Sequence, residues 1–426
     1  MEPAMRLPAA VVFALCAMGA GDLRAQTIEV FPSRVLVDEP AAIRASGLDP
    51  SERIAIHAEL SDGAGHAWAA HAEFTADAAG SVDVSKQAPV AGSYKGVSAM
   101  GLVWSMLPAE KDAAMYQPPR NLGPQIIRFQ LLRKGREVSS AQLEQAAIAD
   151  GVERTTVHEG SLRGVFFAPA GVAQHPGVLV VGGSNGGVPV RPAAWLASHG
   201  YAALALAYFR YDDLPAKLEG IPLEYFQSAL EWMSRRPEIL AGKLAVSGTS
   251  RGGELALQLG SMFPAIHAVV AYVPSNTRRP ACCGGNAVPY AWTWRGQPLP
   301  FLPLGAGPLS DLAPRAAIEV ERAKGPILMI SGEEDGVWRS WMMAGMVVSR
   351  LKAARFPYEV VSLKYADAGH SAGRPDITPA WHAGVRQPLS GREMDLGGSP
   401  QGDAESSLDA MPKVLEFLRR NLLEAR

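Results

Sequence analysis

Lys243-Leu244-Ala245-Val246-Ser247-Gly248-Thr249-Ser250-Arg251-Gly252-Gly253-Glu254-Leu255-Ala256-Leu257-Gln258-Leu259 is the stretch whose reading decides the fold. Its apolar start reads as a strand buried on both faces, and the residues after Gly252 carry a helical pattern. Between them Gly248-Thr249-Ser250-Arg251-Gly252 spells G-x-S-x-G, a tight turn that lifts a serine hydroxyl above a sheet edge. A second match, Gly182-Gly183-Ser184-Asn185-Gly186, follows an earlier apolar run. Val188-Pro189-Val190-Arg191-Pro192 delays the helix after it, so this copy reads as an open loop. Ser250 runs almost directly into its helix and is the predicted nucleophile. The N–H groups of Arg251 and of Ser184 or Asn185 are the predicted oxyanion donors.

Around this stretch lie Gly164-Val165-Phe166-Phe167, Gly177-Val178-Leu179-Val180-Val181, Ala202–Ala207, Ala268–Val273 and Pro326–Ile330, all near-continuous apolar runs. Helical patterns alternate with them, clearest over Pro222–Met233. Such alternation predicts an α/β fold with a doubly wound, mostly parallel sheet. Before it, Ile28–Phe31, Ala42–Ala45, Ile54–Leu60 and Gln125–Leu131 alternate apolar and polar residues in part, between glycine-containing turns. Those runs predict an all-β sandwich. The expected division is a sandwich over 26–137, a linker over 138–157 with a helix near 140–151, and a catalytic domain over 158–426.

The chain has 426 residues, 48% of them hydrophobic, and a net charge of -2. No basic excess suggests nucleic acid or an anionic membrane as partner. Arg6, the apolar stretch from Leu7 to about Ala20, and Leu23-Arg24-Ala25 before Gln26 read as a signal peptide over 1–25. Cleavage there would make the mature protein periplasmic or secreted; an uncleaved chain would be cytoplasmic. The leader is too short for a membrane span, and no later stretch is long and apolar enough. Beyond Cys16, only the neighbours Cys282 and Cys283 remain, and they cannot staple distant segments. Scattered His residues give no metal-ligand spacing, so neither a metal nor another cofactor is expected.

A serine nucleophile needs a base and an acid, in chain order Ser, acid, His. His370 sits in Ala366-Asp367-Ala368-Gly369-His370-Ser371, a loop after the strand-like run Glu359–Lys364. His267 opens an apolar strand, and His382 lies in Pro379-Ala380-Trp381-His382. For the acid, Asp335 follows the strand-like run Ile327–Ile330, with Glu333, Glu334 and Asp367 as competitors. Order and strand ends select Ser250, Asp335 and His370. Trp292, Trp294 and Arg295, among the prolines of the segment from Thr277 to Pro308, are the predicted substrate-binding residues.

Together Ala91-Gly92-Ser93-Tyr94-Lys95-Gly96-Val97, Met100–Ser105, Ile221–Phe226, Gly248–Leu255, Gly369-His370 and Gly397-Gly398-Ser399-Pro400 carry a resemblance over most of the mature chain. The chain resembles the family of acyl-CoA thioesterases and bile acid-CoA:amino acid N-acyltransferases. That resemblance implies an immunoglobulin-like amino-terminal domain joined to an α/β-hydrolase domain, with triad positions at Ser250, Asp335 and His370. It also implies an acyl-CoA or other acyl thioester or ester as partner. Family members that transfer acyl groups to amino acids are associated with cysteine at position 250, and hydrolases more often with serine. The implied reaction is hydrolysis to free fatty acid and CoA; the alternatives are a secreted or periplasmic serine carboxylesterase or peptidase-like hydrolase with the same triad on a non-CoA substrate, and, behind it, an acyl-CoA:amino acid N-acyltransferase.

Overall fold

The computed structural model describes residues 25–306 and 310–424, so the leader expected over 1–25 lies outside them but for Ala25. From there the chain forms β1 (Thr27–Phe31), β2 (Arg34–Leu36), β3 (Ala42–Ser46), β4 (Arg53–Ser61), β5 (Ala67–Thr75), β6 (Gln125–Arg133) and β7 (Arg136–Ala146). β1 and β3 belong to a three-stranded sheet with Val82–Asp83, and β2-β7-β6-β4-β5 run in that order through a seven-stranded one. Burial alternates along β4 and β5. That alternation is the mark of strands with one face on a core. Ile54, Ile56, Phe74, Phe129 and Leu131 fill this core. Each contributes about 1.5–3 kcal/mol by leaving water.

The helix expected near 140–151 is absent, because β7 continues through Ala146, paired on one side with β6 and on the other with β2. The next strand begins at Val152. Most of the stretch expected as a linker is therefore strand, with a short turn between the two sheet systems. Ser140 to Ala146 are acceptable helix formers, but cross-strand pairing and burial override so weak a preference.

The second part is built on one sheet of β8 (Val152–Glu159), β9 (Leu162–Pro169), β10 (His175–Val181), β11 (Ala202–Ala207), β12 (Ile239–Thr249), β13 (Ile266–Tyr272), β14 (Ile327–Gly332) and β15 (Val360–Tyr365). Their order is β8-β9-β11-β10-β12-β13-β14-β15. β9 runs antiparallel to both its neighbours, and the strands from β11 to β15 are parallel. Between strands lie α1 (Val190–Ser198), α2 (Glu224–Ser234), α3 (Arg251–Met262) and α4 (Ser340–Ala353), and α5 (Pro400–Arg419) closes the chain. Val178 and Val180 pack on the same face as α1, α5 and the amino-terminal sheets, while Leu179 and Val181 pack with α2, α3 and α4. Alternate strand residues thus serve two cores, which explains the unbroken apolar runs.

The two parts meet through specific polar contacts. Asp38 accepts hydrogen bonds from Trp195 Nε1 at 2.9 Å and lies 2.8 Å from His199 Nε2. Ile377 N–H donates to Val37 O, and Ala380 N–H to Trp104 O. The amino-terminal part therefore braces, through Val37 beyond β2 and Trp104 of a short helix, the segment that follows the loop bearing His370. Among the described residues no helix is long and apolar enough to cross a membrane.

Candidate active site

In a parallel sheet the carboxyl ends of the strands form the edge where ligands gather, and β12 delivers Ser250 to that edge. Ser250 has φ 59° and ψ −117°, left-handed backbone that a non-glycine residue adopts only under constraint. Packing supplies the constraint. A Cβ on Gly248 would stand 2.0 Å from Gly252 O, and one on Gly252 2.5 Å from Gly182 O. Both flanking glycines are thus required by closeness to neighbouring backbone. Ser250 N–H donates to Tyr272 O at 2.9 Å, and Glu254 N–H to Ser250 O at 2.9 Å, which pin the turn from both sides.

His370 reaches Ser250 from the loop after β15. Its Nε2 lies 2.9 Å from Ser250 Oγ, and its Nδ1 lies 2.9 Å from each carboxylate oxygen of Asp335. Asp335, in the loop after β14, has a fully buried side chain. Its Oδ1 also accepts the N–H groups of Val337 at 3.0 Å and Trp338 at 3.2 Å. The Trp338 ring meets the imidazole edge-on at 5.7 Å and is itself tied by Nε1 to Val273 O. The competing acids go elsewhere: Glu333 pairs with Lys364, and Asp367 is exposed. Of the other histidines, His267 Nδ1 is buried without a partner among the described residues and His382 faces Asp403.

The loop Gly182–Gly186 passes beside Ser250. A Cβ on Gly183 would come within 3.5 Å of Ser250 Cβ. Ser184 O accepts from Gln387 Nε2 at 3.0 Å and Asn185 O from Arg210 Nη1 at 2.9 Å, so both carbonyls are occupied by side chains that fix the loop. Arg251 opens α3. The first N–H groups of a helix have no intrahelical acceptor and carry partial positive charge. The Arg251 side chain points away from this edge, forming a 3.0 Å ion pair with Glu254 and donating to Pro280 O and Arg279 O.

Glu254 is fully buried and accepts from Trp292 Nε1 at 2.8 Å and from Arg279 N–H at 3.2 Å. Burial raises its carboxyl above the usual range, against the opposing pull of Arg251. Breaking such a buried pair costs roughly 3–5 kcal/mol. Glu254→Ala is therefore expected to lower the denaturant midpoint sharply, whereas Lys86→Ala, at an exposed ion pair with Asp83, should leave it nearly unchanged.

The predicted substrate-binding residues are not assembled at Ser250. Trp292 is 1% exposed, packed against Tyr208 and Phe226, and serves to hold Glu254. Trp294 packs edge-on against Phe263 and Arg295 lies over Trp294. Phe263 follows the last residue of α3, whose 12 residues span about 18 Å from the serine end. Cys282 and Cys283, on the same excursion, are drawn together as a vicinal pair.

Two supporting residues were not singled out from the sequence. Gln387 is 4% exposed and clamps the Ser184 loop. Asp403, in the first turn of α5, is 3% exposed; its Oδ1 accepts from Gly369 N–H at 2.8 Å, and His382 Nε2 lies 3.5 Å from its Oδ2. A Cβ on Gly369 would stand 2.1 Å from Gly397 O, so the histidine loop and the Gly397-Gly398-Ser399-Pro400 turn are pressed together. The only sequence signal for Asp403 is its position four residues after Ser399, whose Oγ caps the helix by accepting Gly402 N–H.

A row of Ser, His and Asp at the carboxyl edge of a sheet ordered 1-2-4-3-5-6-7-8 defines the α/β-hydrolase class. The chain belongs to the acyl-CoA thioester hydrolase/BAAT family. Residues 38–159 match the acyl-CoA thioester hydrolase/BAAT N-terminal region, and residues 221–286 and 300–424 match the BAAT/acyl-CoA thioester hydrolase C-terminal region. It is 30% identical over 417 residues to acyl-coenzyme A thioesterase 6 of Mus musculus, covering 93% of this chain and 97% of that protein. It is also 30% identical to acyl-coenzyme A amino acid N-acyltransferase 1 of Mus musculus, covering 92% and 97%. Among solved structures, an esterase of Pyrobaculum calidifontis matches at 16% identity and a TM-score of 0.38, covering 63% of this chain and 85% of that one.

Proposed function

We propose that this protein hydrolyses an acyl-CoA thioester through an acyl-serine intermediate. The observation that carries the reading is the unbroken line Asp335–His370–Ser250, with 2.9 Å at each junction. His370 Nε2 takes the proton as Ser250 Oγ bonds to the carbonyl carbon, and Asp335 stabilises the resulting imidazolium. The oxyanion is held by the Arg251 N–H at the start of α3 and an N–H of Ser184 or Asn185, each donor worth a few kcal/mol in the transition state. Collapse breaks the carbon–sulfur bond and His370 returns its proton to the departing thiol. Water, deprotonated by the same histidine, then releases the acid and frees Ser250. The amino-terminal part, whose sheets we group with immunoglobulin-like sandwiches, braces the segment after the histidine loop through Val37 and Trp104.

The family includes both thioesterases and an amino acid N-acyltransferase by name. Serine at position 250 favours water as acceptor, because the resemblance associates serine there with hydrolases and cysteine with the acyltransferases. The test is product analysis. Incubation with acyl-CoA plus glycine or taurine should give free CoA and free acid without conjugate. Conjugate as the main product would make the chain a transferase. The leader composition favours a second reading, a periplasmic or secreted esterase acting on a carrier other than CoA. Turnover of p-nitrophenyl esters with no turnover of acyl-CoA would select it.

Asp403 has a positioning role in this reading. Asp403→Ala frees Gly369 N–H and loosens the loop that aims His370, so kcat should fall about tenfold with KM little changed. Asp403→Asn keeps the accepting oxygen and should restore most of that loss. Equal kcat in the two variants would remove the role.

A further inference from the structure

Of the histidines after Ser250, His370 serves the triad and His267 lies in β13, which leaves His382. Its segment is laid onto the amino-terminal part of the chain. Ala380 N–H donates to Trp104 O at 3.0 Å and Ala383 N–H to Ala114 O at 2.8 Å, while His382 itself forms an antiparallel bridge with Met115. Beside it the Trp381 ring meets Trp68 of β5 edge-on at 6.0 Å, and Trp68 is fully buried. The backbone on both sides of His382 is therefore fixed, and its ring is held in one direction.

That direction is toward Asp403. His382 Nε2 lies 3.5 Å from Asp403 Oδ2, and both atoms are buried with no hydrogen-bond partner among the described residues. Buried polar atoms are normally paired. These two face each other across a gap only about 0.3 Å longer than an N–H···O bond allows. Hydrogen bonds of catalytic machinery are often long in the free enzyme and tighten in the complex. With its proton on Nε2, His382 is the donor that Oδ2 lacks.

The other oxygen of Asp403 already works at the site. Oδ1 accepts Gly369 N–H at 2.8 Å, and the next residue is His370, whose own N–H donates to Leu396 O at 2.7 Å. The outer torsion of an aspartate is soft, so a carboxylate held at one oxygen can turn away from its donor. Held at both, it keeps Oδ1 on Gly369.

We propose that His382 is a further positioning residue: its Nε2–H donates to Asp403 Oδ2, which keeps Oδ1 on Gly369 N–H and His370 aimed at Ser250. The proposal rests on the acyl-serine reading of Ser250 and goes beyond it. The amino-terminal part, which carries the backbone of His382, then contributes to the rate and not to folding alone.

The test measures kcat and KM for hexanoyl-CoA and, separately, the rate at which a fluorophosphonate labels Ser250. The proteins compared are the wild type, His382→Ala, His382→Gln, Asp403→Ala, the double variant His382→Ala with Asp403→Ala, and Ser250→Ala. Labelling reads the serine activated by His370 whatever acyl carrier the enzyme uses. His382→Ala should lower kcat and labelling about fivefold with KM within about twofold. His382→Gln places an amide N–H near the position of Nε2 and should recover most of that loss. The double variant should lose no more than the roughly tenfold expected for Asp403→Ala alone, because His382 acts through Asp403. Should His382→Ala melt far below the wild type, His382→Leu fills the space without a donor and takes its place in the comparison.

Three results overturn the role of His382: kcat and labelling unchanged in the folded donor-free variant, His382→Gln no better than that variant, or a double variant whose loss is the product of the single losses, about fiftyfold. In each of these, loss of labelling in Ser250→Ala keeps the nucleophile. Turnover and labelling undiminished in Ser250→Ala overturn the nucleophile and the role of His382 with it.

Discussion

Ser250→Ala is expected to lower kcat for acyl-CoA hydrolysis by about 10⁴- to 10⁶-fold, as loss of a serine nucleophile does where base and oxyanion donors remain. Thiol release followed with a chromogenic disulfide measures it. The variant should stay folded, because the hydroxyl's hydrogen bond is to the His370 ring and the turn is pinned by backbone bonds to Tyr272 and from Glu254. The left-handed backbone at Ser250, with φ 59°, adds a second readout. Ser250→Gly removes the same hydroxyl and also the strain of a side chain at positive φ, so it should be more stable than Ser250→Ala by about 1 kcal/mol. Both variants should be equally inactive.

Asp335→Asn is expected to reduce kcat by about 10³- to 10⁴-fold with little change in KM, measured in the same assay. The carboxylate does two things at once. Both its oxygens sit 2.9 Å from His370 Nδ1, and Oδ1 also receives the Val337 and Trp338 N–H groups. An amide can keep the backbone bonds only by turning its NH₂ toward the imidazole. That orientation favours the tautomer whose Nε2 carries the proton, and such a ring cannot accept one from Ser250. Glu333→Gln, by contrast, alters only an exposed pair with Lys364 and should leave kcat within twofold.

Much of this site was legible because its parts are tied to strand ends. G-x-S-x-G between an apolar run and a helical pattern marked the turn at Ser250. The requirement for acid and then histidine after later strands picked Asp335 and His370 out of their neighbours. The structure brings these three together and sends Glu333, Glu334 and Asp367 elsewhere. The alternating apolar runs also gave the parallel sheet, since strands serving two cores have no polar face to interrupt them.

What escaped the sequence has physical reasons. Ser140–Ala146 carry no strong strand residues, and only their partners, β6 and the Arg34–Leu36 strand, make them extended. Trp292, Trp294 and Arg295 looked like the wall of an acyl pocket because aromatic residues among prolines suit a ligand-facing loop. Trp292 is instead a buried donor to Glu254, and Trp294 packs at the far end of α3. Asp403 was hidden because its meaning lies in Gly369, 34 residues earlier.

The most direct measurement is the mass of the enzyme caught during turnover. The protein is mixed with excess acyl-CoA, quenched in acid within the first turnovers, digested and mapped by mass spectrometry. One acyl group should appear on the peptide holding Gly248-Thr249-Ser250-Arg251-Gly252, localised to Ser250, and increase in Asp403→Ala if deacylation slows more than acylation. Free CoA released at the wild-type rate by Ser250→Ala, with no acyl group on that peptide in either protein, would contradict the assignment of Ser250 as the nucleophile.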